Sequence, residues 1–179
     1  MRHGKPAFTA SEKIESREMY NWIAEYDRSD TGEDTPPDSS KALAVSASRI
    51  ISSPLPRALS SLRALGLKPD VIDEAFREAD LPVFHLPGLR FSPTVWAAIF
   101  RVMWLCGLSR NAERMGKAKQ RAAQAANSLV GLANALDGPV LLMGHGVMNR
   151  LIARELRSLG FKECCIQGNS YWNASIYRF

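Results

Sequence analysis

Two of the three histidines in this sequence stand beside glycines, in Arg2-His3-Gly4 and in Gly144-His145-Gly146. Neutral imidazole acts as a nucleophile or a general base near physiological pH, so both rings are candidates for catalysis. Arg57 follows the segment SSPLP, and its planar guanidinium suits bidentate binding of a phosphate. Each residue taken singly also has a plain structural interpretation. His145 fits a turn residue bonded to a backbone carbonyl, and Arg57 fits the surface of a helix.

Both segments come directly after predicted strands. Val140 to Met143 is a continuous apolar strand, and the glycine-bounded turn that follows it leads into a helix with one apolar face. Arg57 likewise follows a short strand predicted over residues 49–53 and opens a helix. In open α/β sheets, ligands bind beyond the carboxyl ends of the strands, where helix N-termini present N–H groups to anions. We therefore expect His145 and Arg57 to lie at the same edge of a sheet.

The remaining segments alternate between helical and extended patterns. Helices are predicted over residues 11–26, 57–65, 93–107 and 111–136, the last with Leu129, Leu132 and Leu136 available for packing, and weaker strands over 71–76 and 171–179. The polar run from Asp27 to Ser40 predicts a surface loop. Interleaved helices and strands predict an α/β fold, a three-layer α/β/α sandwich with a mostly parallel central sheet. The length of 179 residues predicts a single domain over residues 1–179.

The composition excludes several classes of protein. With 46% apolar and 23% charged residues the chain is of ordinary globular type. Its longest apolar stretch, Val95 to Leu108, is interrupted by Arg101 and is too short to cross a bilayer. The N-terminus lacks the pattern of a secretory signal, so a cytoplasmic location is expected. Basic residues are spread along the chain, which does not favour nucleic acid, while the net charge of +5 suits a small anionic substrate.

Metal chemistry is not expected. The three cysteines include no CxxC pair. His85 has no second histidine at ligand spacing and is predicted to be a loop residue that still has the option of touching a substrate. No cofactor is expected.

RHG at the start, SSPLPRA in the middle and HG after an apolar strand, in this order, resemble the histidine phosphatase superfamily, branch 1, which shares the phosphoglycerate mutase-like fold. The three anchors span most of the chain, and NSYWNASIYRF near the end extends the likeness. The resemblance implies a two-step, metal-independent phosphoryl transfer through a phosphohistidine. His3 would be the nucleophile and His145 a second catalytic histidine. Arg2, Arg57, His145 and Gly146 would surround the phosphoryl group.

The resemblance also implies a carboxylic acid that gives a proton to the leaving oxygen. The segment VIDEAFREADLP offers four carboxylates. We predict Glu78, because F-R-E-A-D is similar to the segment of the family that carries this acid. Glu74 is the alternative.

Residues 85–114 correspond to the segment with which the family covers its pocket, and we predict a lid-like helical segment there. Its aromatic and methionine residues, Trp96, Phe100, Met103 and Trp104, fit core packing, an apolar substrate pocket or the face of a homodimer. The three alternatives stay open at this point.

Two departures from the family pattern concern the first residues. Members usually carry an apolar strand before RHG, whereas only Met1 precedes Arg2 here. Either the true start lies upstream of Met1, or the neighbouring strands lose a partner. In the second case backbone groups would be unpaired and the nucleophile poorly anchored. Lys5 and Pro6 stand where many members have an acidic residue followed by Thr or Ser. Lys5 either adds positive charge to the site or points into water.

The function predicted from these residues is the hydrolysis of a phosphomonoester, or of a protein phosphohistidine, through a covalent intermediate on His3. The substrate is accordingly a phosphorylated small molecule or a phosphoprotein. The alternative is a weak or inactive member of the family that binds a phosphorylated ligand or a protein partner.

Overall fold

Three parallel strands form the sheet that carries the candidate site. The structure is a computed structural model that describes residues 1–9, 11–135, 138–166, 168 and 170–179. Its strands are β1 (Ile14–Glu15), β2 (Arg49–Ser52), β3 (Val71–Ile72), β4 (Arg90–Phe91), β5 (Val140–Met143), β6 (Lys162–Ile166) and β7 (Ser175–Arg178). The helices are α1 (Met19–Arg28), α2 (Asp38–Val45), α3 (Pro56–Ala64), α4 (Pro93–Leu105), α5 (Met115–Ala135) and α6 (Gly146–Ser158), with short 3-10 helices at Ser16–Glu18 and Glu74–Phe76. The order β3-β2-β5 is parallel throughout.

Helices cover both faces of this sheet, because its side chains alternate between two cores. Leu141 and Met143 pack with Ala58 and Leu62 of α3 on one face. On the other face Ile51 packs with α5 and α6, where α5 contributes a stripe of buried alanines, Ala122, Ala125 and Ala126. Small residues in that stripe let α5 lie close to its neighbours. The predicted α/β sandwich with a parallel central sheet is confirmed.

Met1 to His3 extend the sheet beside the end of β5. The amino group of Met1 donates to the Leu142 carbonyl (2.7 Å), and Arg2 forms a parallel bridge with Gly144. Burial lowers the pKa of the Met1 amino group to about 5. The backbone at His3 is anchored, since its N–H donates to the Gly144 carbonyl (3.0 Å) and the Gly144 N–H donates to the Met1 carbonyl (3.0 Å). Further upstream, the described residues place no strand beside this edge of β5, which faces a cavity of about 810 Å³ bounded on its other side by β7.

Several predicted boundaries need correction. The helix expected from residue 11 begins at Met19, because Ile14–Glu15 are held extended by antiparallel pairing with Arg90–Phe91. The strand expected over residues 71–76 ends at Ile72 and gives way to a 3-10 helix.

The loop expected over residues 27–40 holds the end of α1 and the start of α2, a helix that the sequence did not suggest. The final strand is shorter than expected and pairs antiparallel with β6, which was not predicted. Leu136 lies outside the described residues.

The segment over residues 85–114 contains one long helix, α4, and its large aromatic side chains are core residues. Trp96, Phe100 and Trp104 are fully buried. Trp96 and Phe100 pack with Met19 and Val83, so the core-packing interpretation of these residues is correct. Among the described helices, none is long and apolar enough to cross a membrane.

Candidate active site

The carboxyl ends of β2 and β5 lie next to residues 2–4, and this edge of the sheet opens into a cavity of about 780 Å³. Four of the predicted site residues line it, namely Arg2, His3, Arg57 and Glu78. His145 is fully buried beside them, with its ring centroid 5.0 Å from that of His3. Three segments that are far apart in sequence therefore meet at one place, as the strand ends predicted.

His3 is held in a defined tautomer. Its Nδ1–H donates to the carbonyl of Gly4 (2.7 Å), which can only accept, so the lone pair is on Nε2. The ring is 2% exposed. Burial, followed by the positive charge of Arg57 and to a smaller extent that of Arg2, lowers the pKa of His3 to about 3, while the hydrogen bond to Gly4 acts in the opposite direction. His3 is therefore a neutral imidazole with a free lone pair at Nε2, which is the form that a nitrogen nucleophile needs.

The two ring nitrogens of His145 differ in their surroundings. Its Nε2 lies 2.7 Å from the hydroxyl oxygen of Ser53, at the end of β2. Nδ1 is buried without a hydrogen-bond partner among the described residues. Burial, followed by the charges of Arg57, His3 and Arg2, lowers the pKa of His145 well below its usual value. The ring is neutral, and a hydroxyl proton donated by Ser53 to Nε2 would leave Nδ1 as a donor.

Arg57 is fixed along one edge and open along the other. Its Nη1 donates to the carbonyl of Tyr26 (3.1 Å) and to the carboxylate of Asp27 (3.0 Å), and its Cζ lies 4.7 Å from the Tyr26 ring centroid. The side chain is 2% exposed, yet Nε has no partner within the described part of the chain. A buried donor without an acceptor is costly, so this edge is suited to an anion.

A turn near the C-terminus encloses the other side of residues 2–4. Arg2 donates its backbone N–H to Asn173 (2.9 Å) and accepts from Trp172 (3.1 Å). Trp172 adopts φ = 66°, a left-handed conformation that non-glycine residues rarely take, and its ring packs on Gly4 so closely that no side chain fits there. The turn also places Tyr171 under the Arg2 guanidinium, 4.4 Å from Cζ to the ring centroid.

The side chain of Glu78 lies at the N-terminus of α6, the helix that begins directly after His145. Its carboxylate accepts from the backbone N–H groups of Val147 (3.1 Å) and Met148 (2.9 Å). These are two of the N–H groups that a helix leaves without internal partners. Gly146 is the first residue of α6, and a Cβ on it would lie 3.5 Å from Cζ of Arg2. Glu74 is different, because its side chain is 72% exposed and contacts Arg77 at 3.8 Å outside the cavity.

Several residues of the site were missed by sequence reasoning. Asn149 joins the two histidine segments, since its Oδ1 accepts from the His145 N–H (3.2 Å) and its Nδ2 donates to the Met1 carbonyl (3.2 Å). Its position four residues after His145, one helical turn away, is the signal that could have identified it. Tyr26, Asp27 and Tyr171 carry no such signal.

Lys5 and His85 are both exposed. Lys5 is exposed at the wall of the cavity, and its backbone N–H donates to Asp34 (2.6 Å). His85 is exposed in a loop and is not one of the residues that line the cavity. Over the described ranges, no cluster of three His, Cys, Asp or Glu side chains is suited to hold a metal ion.

The sequence matches one family model over almost its whole length. That model is the histidine phosphatase superfamily, branch 1, and it covers residues 1–178. No curated protein matches the sequence.

Solved structures with the same fold span nearly the whole chain. A protein named mycobacterial hydrolase 1 superposes with a TM-score of 0.57 at 17% identity, over 99% of this chain and 94% of that one. A phosphoserine phosphatase from Entamoeba histolytica, solved with 3-phosphoglyceric acid, gives 0.55 at 15% identity, over 88% and 77%. A characterised open reading frame of Mycobacterium tuberculosis gives 0.54 at 18% identity, over 87% and 76%. At these identities the likeness is one of fold.

Proposed function

The chain belongs to the histidine phosphatase superfamily, branch 1, and on that premise we propose that it hydrolyses phosphomonoesters through a phosphohistidine on His3. The observation that carries the proposal is the hydrogen bond from Nδ1 of His3 to the Gly4 carbonyl. This bond leaves the lone pair on Nε2, next to two arginines that can bind a phosphate. The depressed pKa of about 3 keeps that lone pair available over the whole physiological range.

The phosphoryl group is held by the open donors around His3. Arg57 offers its buried Nε edge, and His145 offers Nδ1 in the tautomer that Ser53 favours as donor. Arg2, whose guanidinium lies against the Tyr171 ring and close to Gly146, adds a second positive charge. Donors that are fixed before the substrate arrives stabilise the charge that develops on the equatorial oxygens, and losing one typically costs about 10²–10³-fold in rate.

In the first step, Nε2 of His3 forms a bond to phosphorus while the bond between phosphorus and the ester oxygen breaks. Protonated Glu78 gives its proton to the departing oxygen, so the leaving group is an alcohol. In the second step, a water molecule attacks the phosphohistidine, Glu78 takes the proton of that water, and the P–N bond breaks. Phosphate leaves, and His3 and Glu78 return to their starting states. The location of Glu78 in the cavity wall supports this role over Glu74.

A phosphorylated small molecule is the better-supported substrate. The cavity of about 780 Å³ falls in the size range of small-ligand pockets. The phosphoserine phosphatase with the same fold, solved with 3-phosphoglyceric acid, is consistent with a phosphomonoester. A role limited to binding was motivated by the short N-terminus, but Met1 to His3 are bonded to β5, which favours a working nucleophile.

The test is hydrolysis of p-nitrophenyl phosphate in the presence of EDTA, with trapping of the phosphoenzyme. The native protein should turn over and form an acid-labile, base-stable phosphohistidine. His3→Ala should lose both, whereas His85→Ala, which changes the exposed histidine outside the cavity, should retain both. Full turnover by a folded His3→Ala protein would overturn the mechanism. Absence of turnover in the native protein, with vanadate still bound, would support a binding role instead.

A further inference from the structure

A row of aromatic rings extends from Arg57 along one wall of the active-site cavity. Tyr26 lies under the Arg57 guanidinium. Trp22 stacks on Tyr26 with ring centroids 4.9 Å apart and planes inclined by 15°, and Phe8 follows at 5.9 Å from Trp22. All three rings line the cavity. The row therefore begins at the arginine that would hold the phosphate and continues away from it, in the region open to the rest of a substrate.

Further apolar side chains in the cavity wall come from α1, from the segment after Glu78 and from α4, namely Ile23, Leu81, Val83 and Ala97. Val83 is 4% exposed, and the other three are packed against the same small core. Polar side chains are also part of the wall, namely Lys5, Thr9, Ser11, Tyr20, Thr94 and Asn111. Most of the wall is apolar, so a substrate portion beside the aromatic row contacts mainly carbon atoms.

Most charged groups in the wall are already engaged with the protein, whereas Lys5 is exposed. Asp27 is paired with Arg57, and Glu78 is bonded to the N-terminus of α6. Asp80 accepts from the N–H of Glu113 (3.2 Å), and Arg101 donates to the carbonyls of Ala79 (2.9 Å) and Asp80 (3.1 Å). A leaving group rich in hydroxyl or carboxyl groups would lose its water beside the aromatic row and gain few partners from these engaged groups in return.

We propose that this cavity selects phosphomonoesters whose alcohol portion is flat and apolar, such as an aryl or arylmethyl group that stacks on Trp22. The inference rests on the proposed function only in that the phosphoryl group lies at His3 and Arg57. Aromatic rings pack against one another through large contact areas and add specific stacking. An advantage of at least about tenfold over a hydroxylated alcohol, or about 1.4 kcal/mol, is the expected size of the preference.

Two pairs of ligands separate binding from chemistry. Benzyl phosphate and glycerol 1-phosphate both release alcohols of similar acidity, so a difference in kcat/KM reports recognition of the alcohol. Benzylphosphonate and methylphosphonate are not hydrolysed, and calorimetry gives their Kd values directly. We expect kcat/KM for benzyl phosphate to exceed that for glycerol 1-phosphate by at least about tenfold. We also expect benzylphosphonate to bind at least about tenfold more tightly than methylphosphonate. Equal values, or a preference for glycerol 1-phosphate, would overturn the proposal.

Variants of Trp22 test whether the aromatic row causes the preference for the benzyl ester. In Trp22→Ala the ratio between the benzyl and glycerol esters should fall about tenfold, whereas Trp22→Phe should retain most of it. Phe179→Ala removes an aromatic ring that is 92% exposed and outside this cavity, and should leave the ratio unchanged. A ratio that survives in folded Trp22→Ala would contradict the proposal. Since Trp22 is part of a small core, Phe8→Ala provides a second test with the same expected direction.

The two proposals fail in different ways. If neither ester is hydrolysed but benzylphosphonate is bound more tightly than methylphosphonate, the proposed function is wrong and the preference for apolar groups stands. If both esters are hydrolysed equally well and both phosphonates bind alike, the hydrolysis stands and the preference is wrong.

Discussion

Oδ1 of Asp27 lies 3.0 Å from Nη1 of Arg57, so a carboxylate stands inside the site that would receive a phosphate. The contact is on the same Nη1 that donates to the Tyr26 carbonyl, while Nε is left without a partner in the described structure. Asp27 therefore orients Arg57 and occupies only the edge that faces α1. The opposite edge is the one available for bidentate contact.

Removing this carboxylate should weaken the site. With Asp27→Ala we expect vanadate, an analogue of the phosphoryl transition state, to inhibit about tenfold less strongly, because Arg57 loses the partner that fixes its plane. Asp27→Asn keeps an oxygen that accepts and should lose less. The check is the inhibition constant for vanadate in each variant. Tighter inhibition in Asp27→Ala would show instead that the carboxylate repels the anion.

Replacing Arg57 should weaken anion binding more than replacing Asp27 does. Arg57→Ala is expected to weaken vanadate or phosphate binding by more than about tenfold, since a charged bidentate contact is lost. Arg63→Ala, which removes an exposed arginine from the same helix, is the matched control and should bind as the native protein does. Because Arg57 is buried, Arg57→Lys provides a second variant that keeps the charge but not the fork. An unchanged affinity in both Arg57 variants would remove this residue from the site.

Glu78→Gln should slow substrates in proportion to how poor their leaving groups are. The amide oxygen can still accept from the N–H groups of α6, but it cannot donate a carboxylic proton. We expect about 10²–10³-fold slower turnover of an alkyl phosphate and a much smaller effect on p-nitrophenyl phosphate, whose phenolate needs no proton to leave. Comparing the two substrates is the measurement. An equal loss for both would indicate that Glu78 only positions α6, and Glu74→Gln is the matched control.

Stability should fall as the solution is made more acidic, partly because of His3. Its pKa is about 3 in the folded chain against 6.5 in an unfolded one. Between those values the unfolded chain binds a proton that the folded chain does not, so protonation favours unfolding as pH decreases from about 6.5. One such group contributes up to about 1.4 kcal/mol per pH unit to the slope. His3→Ala should have a shallower dependence of unfolding free energy on pH in urea titrations, and an identical slope would contradict the burial of a neutral His3.

The sheet and the two histidine segments were accessible from the sequence because their signals are local. Val140 to Met143 is a short apolar run that ends at a glycine, and such a run followed by a helix has few other structures available. Arg57 follows its strand in the same way. The placement of His145 and Arg57 at one edge then follows from the geometry of a parallel sheet, and no long-range contact has to be predicted.

What the sequence did not indicate depends on distant partners. Ile14 and Glu15 lie in a stretch with helical spacing, yet they pair with Phe91 and Arg90, and strand pairing over that distance leaves no local mark. Asp27 lies in a polar run, and such a run predicts a surface loop. Its role arises only when α1 packs on α3 and brings it to Arg57.

The backbone of Arg2 is bonded to residues 172 and 173, and the ring of Tyr171 supports its guanidinium. These contacts join residues that lie about 170 positions apart in the sequence, so they form only when a very long loop of chain is closed. The surroundings of Arg2 therefore depend on the cooperative folding of the whole described chain, and the parallel sheet alone does not provide them.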